Sequence, residues 1–144
     1  MNIIKTTPCD ILCIVHRIWV EGQKKQGGMD KILEYFRKVK KRKIILVEQP
    51  LYNKGETQVF LLSPQGETKL LQISLKHHKV FLSWLKEIIF NLKVSKALIL
   101  KTNFFTTDPL CALPGILFPN KFHFRYYHCI DYANQRFNLS LIHI

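Results

Sequence analysis

The chain has 144 residues, 47% of them hydrophobic and 22% charged, with 22 Lys+Arg against 10 Asp+Glu for a formal net charge of +12. That length suits one domain with a core of its own, and the composition excludes a disordered or collagen-like chain. The basic balance points to phosphate-rich partners (nucleic acid, nucleotide or anionic lipid) without choosing among them.

No apolar stretch approaches the roughly 20 residues that a spanning helix needs. The apolar run at Ile11–Val15 is too short for a signal peptide and follows Pro8, Cys9 and Asp10. A cytoplasmic location is therefore expected, peripheral at the inner face of a membrane if lipid is the partner. Cys9, Cys13, Cys111 and Cys129 are expected as free thiols.

In chain order, Ile11–Val15 is the first predicted strand. A helix follows from about Met29, with Met29, Ile32, Leu33, Phe36 and Val39 on one face and Lys31, Glu34, Arg37, Lys38 and Lys41 on the other. Ile44–Val47 is the next strand. Gln58–Leu62 and Leu70–Leu75 form a hairpin around the turn Ser63-Pro64-Gln65-Gly66. A second helix carries Phe81, Trp84, Leu85, Ile88, Ile89 and Leu92 on its apolar face. Strand Ala97–Leu100, a short helix opened by Asp108-Pro109 and strand Phe122–His128 complete the order. Three of these strands are bare apolar runs, as in parallel sheets covered on both faces. The expected class is α/β: a Rossmann-like, mostly parallel sheet flanked by helices, with a β-hairpin insertion.

In such sheets ligands bind beyond the carboxyl ends of the strands. Gly27 and Gly28, at the end of the first strand's loop, are therefore substrate-binding candidates, since glycine admits a ligand close to the backbone. Asp108 is a third, although capping the short helix explains an Asp-Pro pair by itself. His128 and Asp131, beyond the last strand, are the catalytic candidates, one to orient or protonate a hydroxyl and the other to accept sugar hydroxyls. No metal is expected: Cys9, Cys13 and His16 fall in or beside one buried strand whose alternate side chains diverge. Lys24, Lys25, Lys38, Lys40, Lys41 and Arg42 form a basic run with few aromatics, which favours an anionic membrane surface over nucleic acid.

The strand Ile11–His16, Gly27-Gly28-Met29-Asp30 opening a helix, the run Ile44–Leu51 and the stretch Phe122–Tyr132 followed by Arg136-Phe137 together resemble the N-terminal domain of GT-B glycosyltransferases, in particular the family 4-like enzymes. The resemblance implies the acceptor-side half of an enzyme that moves a sugar from a nucleotide-sugar to a glycan or lipid-linked acceptor. It implies Gly27 and Gly28 against the donor, His128 or Asp131 on the acceptor side, and no further cofactor. The family's second domain, with its Lys/Arg pair and Glu-rich nucleotide motif, has no counterpart in these residues, so the chain by itself is expected to be inactive. Leu139–Ile144 resembles the translation of a sequencing adapter. The domain is therefore read as 1–138, incomplete, with a non-native tail at 139–144. The alternative function is a non-enzymatic basic α/β module that binds nucleic acid.

Overall fold

The computed structural model describes residues 2–17, 19–20, 23–24, 28–50 and 55–127. A short helix α1 (Asn2–Lys5) precedes the first strand, β1 (Ile11–Arg17), and a small antiparallel pair follows, β2 (Trp19–Val20) with β3 (Gln23–Lys24). Helix α2 (Gly28–Glu34) runs into a π-helical turn at Tyr35–Val39. Then come β4 (Ile44–Pro50), the hairpin β5 (Thr57–Ser63) and β6 (Gly66–Ile73), and the long helix α3 (Val80–Ala97). Strand β7 (Thr102–Thr106), helix α4 (Pro109–Leu117), a 3-10 turn at Pro119–Lys121 and β8 (Phe122–Tyr127) follow.

Six strands form one sheet in the order β6-β5-β4-β1-β7-β8. β1 pairs in parallel with both β4 and β7, and β7 with β8, whereas β5 runs antiparallel between β4 and β6. The fold is thus a mostly parallel α/β sheet with an antiparallel hairpin, as the alternation of elements predicts. The chain builds outward from β1 through β4 to β6, then returns to β1's other side with β7. The switch point of the topology therefore lies between β1 and β7.

Residues 11–15 of β1 are all buried because helices cover both faces of this central strand. Ile11, Cys13 and Val15 pack with Met29 and Leu33 of α2, while Leu12 and Ile14 pack with Phe90, Val94, Phe104 and Cys111 under α3 and α4. Each fully buried Ile, Leu or Val contributes about 1.5–3 kcal/mol relative to exposure, so β1 anchors both cores.

Three expectations need correction. Ala97–Leu100 is not a strand: Ala97 ends α3, Leu98 caps it and Ile99 and Leu100 are exposed. Helix-favouring Lys96 and Ala97, with Val94, Ala97 and Leu98 buried, carry the helix through the apolar run. The strand is Thr102–Thr106, whose alternating burial reflects a less enclosed position beside β8. Second, the hairpin's return strand starts at the turn, at Gly66, and ends at Ile73 rather than running over Leu70–Leu75. Third, the apolar stripe of α3 faces outward. Phe81, Trp84, Leu85 and Ile89 are exposed, and the buried face consists of Ser83, Glu87, Phe90, Asn91, Val94 and Ser95. In the first helix Val39 is also exposed, since the wide π turn advances the chain out of the face that Met29 and Leu33 share.

Candidate functional site

Strand alternation sends His16 and Arg17, at the carboxyl end of β1, to opposite faces of the sheet. His16 points to the α3–α4 side. Its Nε2 lies 3.4 Å from Oε2 of Glu87, and its Nδ1 lies 3.3 Å from Oδ2 of Asp108 and 3.5 Å from Sγ of Cys111. Gln49, opposite His16 on β4, exchanges two amide hydrogen bonds with Asn91, at 2.9 and 3.1 Å, and accepts from the Cys111 thiol at 3.6 Å.

Local structure explains the convergence. Glu87 and Asn91 are four apart in α3 and share its inner face. Asp108 is the N-cap of α4, accepting from the Leu110 N–H at 2.9 Å, with Pro109 at the first helical position. Cys111, three residues on from Asp108, lies on the side of α4 that meets β1. Both β1 and β7 end at this edge, so the cluster occupies the switch point.

Burial pulls the His16 pKa down, but Cys111 and the hydrogen bonds that the ring makes to Asp108, Cys111 and Glu87 outweigh it and hold the ring well above the ordinary histidine range. Burial pushes the Cys111 thiol up, against the pull of His16.

On the other face, the Arg17 guanidinium donates to Glu48 Oε1 at 3.0 Å and to both oxygens of Asp30, at 2.6 and 2.9 Å. Asp30 belongs to the first turn of α2, so this ion pair fixes the helix start against the end of β1.

His16 Nδ1, an Asp108 oxygen and Cys111 Sγ lie within 4.8 Å of one another. Their 3.3 and 3.5 Å separations are close to the edges of roughly 3.4 and 3.6 Å that tetrahedral zinc geometry sets for N–O and N–S pairs. These donors could hold a soft divalent cation, with Glu87 on the ring's far nitrogen as the outer carboxylate. The same contacts also close as hydrogen bonds without one.

Beyond α4 lies a cleft of about 550 Å³ between that helix and β8, lined by Phe104, Thr106, Pro109, Ala112, Gly115, Ile116, Arg125, Tyr126 and Tyr127. Thr106 Oγ1 is buried there without a hydrogen-bond partner. An unpaired buried hydroxyl costs roughly 1–3 kcal/mol, which a bound oxygen or nitrogen would recover.

Of the residues singled out in the sequence, Asp108 is in the cluster. Gly28 is the first residue of α2, and a Cβ added there meets nothing within 4 Å. Gly27, Lys25, His128 and Asp131 lie outside the described residues. Lys38, Lys40, Lys41 and Arg42 are exposed at the opposite, amino-terminal edge of the sheet, where Lys43 N–H donates to Asp10 at 2.8 Å and Asp10 precedes β1. His16, Glu87 and Cys111 were not anticipated as a group. Their only local signal is the three-residue spacing of Asp108 and Cys111 at a helix start.

No protein-family model matches the chain, and comparisons with curated proteins and with solved structures give no match.

Proposed function

We propose that this chain is the acceptor-side domain of a glycosyltransferase of the GT-B kind, taking a sugar from a nucleotide-sugar to a hydroxyl acceptor. The observation that carries the reading is the position of His16, at the switch point of a parallel sheet and bracketed by Asp108 and Glu87 at 3.3 and 3.4 Å. Oxygen-rich ligands bind at that edge in open α/β sheets. In this reading the imidazole holds the two carboxylates in place, and they accept from the acceptor hydroxyl. The cleft next to α4, with Tyr126, Tyr127, Arg125 and the unpartnered Thr106 hydroxyl, supplies the aromatic and polar surface that a sugar ring needs.

Catalysis in this reading is positioning and charge stabilisation of the departing diphosphate, with no covalent protein intermediate. One domain supplies one wall of the cleft, so the 144-residue chain alone should transfer nothing, while the whole gene product should. Transfer of labelled sugar from a panel of nucleotide-sugars is the measurement. His16→Ala in the active whole product should lose about 100-fold or more in kcat/KM per molecule that circular dichroism shows to be folded, since the substitution also takes a partner from buried Glu87. Unchanged activity removes His16 from the site. Tight nucleic-acid binding with no transfer from any donor overturns the reading in favour of a basic binding module.

A further inference from the structure

Helix α3 buries a mixed face, with Phe90, Val94 and Ala97 beside its polar residues, and leaves a second apolar stripe exposed. Phe81, Trp84, Leu85 and Ile89 are 69, 49, 42 and 43% exposed, whereas Ser83, Glu87, Asn91 and Ser95 are buried against the sheet. Exposed charge around the stripe has one sign. Lys86, Lys93 and Lys96 flank it and Lys79 stands at its start, all exposed, while Glu87, the sole acid of α3, is buried at 6%. No helix among the described residues is long and apolar enough to cross a membrane. An apolar stripe bearing Trp and Phe and edged by lysines matches a helix that lies in the plane of a lipid interface.

We propose that the outer face of α3 docks on an anionic bilayer, with Phe81, Trp84 and Leu85 inserted at headgroup level and the lysines on acidic headgroups. Charge complementarity selects this occupant, because an apolar face meant for a second copy would set lysines against lysines. Position supports it as well. β6 ends at the carboxyl edge of the sheet and α3 begins there, and Glu87 reaches His16, so the first half of α3 borders the candidate site. The basic residues Lys38–Lys43 lie at the opposite edge, and a membrane held only by them would meet the end of the sheet remote from His16. The docking rests on α3 alone and stands whether or not the domain transfers sugar.

Co-sedimentation of the chain with vesicles of phosphatidylglycerol and phosphatidylcholine, against phosphatidylcholine alone, tests it. Trp84 fluorescence is read in a Trp19→Phe background. The expected result is binding that requires the anionic lipid, with a blue shift of Trp84. Replacing Phe81, Trp84 and Leu85 by Ser should weaken binding by about tenfold or more, without loss of fold since all three are exposed. Each of Lys86, Lys93 and Lys96 changed to Gln should weaken it by up to about fivefold. The proposal is overturned if no vesicle binds, if the serine variant binds as the parent does, or if charge reversal at Lys38, Lys40, Lys41 and Arg42 abolishes binding while the α3 variants keep it. A concentration-dependent dimer that the serine variant loses, with no vesicle binding, assigns the face to a second copy instead.

Discussion

A methyl group added at Gly115 would sit 2.7 and 2.8 Å from Cδ1 and Cε1 of Phe104, closer than any real contact. Phe104 is 2% exposed and packs against Phe122 with ring centroids 4.9 Å apart, so it has little room to withdraw. Gly115→Ala should therefore destabilise the domain by about 1–3 kcal/mol by overpacking, although alanine is the better helix former. Chemical denaturation measures it, and a stabilised variant would show that α4 can lift off β7 freely. His16 makes a second residue-scale prediction. Its unfolded pKa is near 6.5, and the folded ring holds its proton well above that. Between those values the native state binds more protons than the unfolded chain. The stabilisation from His16 is thus fully present below about pH 6.5 and lost as pH rises through the folded value. His16→Gln should flatten the fall of Tm with pH above 6.5. An unchanged slope in the variant would mean that the ring carries no extra proton in the fold.

At the scale of elements, α2 and α3 show how differently two periodic segments can be used. α2 buries Met29 and Leu33 as its pattern predicts and then widens into the π turn, ended by Lys41 with φ of 52°, a left-handed residue that stops the helix. Its start is open: Gly28 has nothing within 4 Å of a built Cβ and no left-handed φ. Gly28→Val should accordingly leave stability within about 0.5 kcal/mol of the parent in a thermal melt. A large drop in Tm would instead reveal a backbone constraint at the entry to α2. α3 breaks the usual reading of a helix because its buried Glu87 and Asn91 have partners inside the fold, although the buried Ser95 hydroxyl has none. Gln49 satisfies Asn91 through two amide bonds, and His16 satisfies Glu87. Buried polar groups of this kind are tolerated when they are paired.

For the molecule as a whole, the sheet separates two faces and two edges with different roles. One face holds the Arg17–Asp30–Glu48 ion cluster under α2, and the other holds the His16 cluster under α3 and α4. Both clusters sit at the carboxyl edge, while the densest exposed basic run sits at the amino edge. Removing one partner from a buried charge cluster commonly costs about 3–5 kcal/mol, so such groups are held at an appreciable energetic risk to the fold. Their concentration at the carboxyl edge, on both sides of β1, is what makes this end of the domain the functional candidate.

Much of the architecture was legible in the amino-acid order. Bare apolar runs at Ile11–Val15 and Ile44–Val47 marked the central parallel strands, because only residues covered on both faces can be apolar without alternation. Ser63-Pro64-Gln65-Gly66 marked the hairpin and Asp108-Pro109 the start of α4, because turn and cap chemistry is local. The site was not legible in this way. His16, Glu87, Asp108 and Cys111 come from β1, α3 and the start of α4, and their meeting depends on how two helices settle on one sheet face. The side of α3 that turns inward was equally hidden, since periodicity finds an apolar stripe but not what lies opposite it. A stripe normally packs inward because water is the alternative. Here Gln49 and His16 offered the polar face of α3 its partners, and that choice was made by the tertiary structure alone.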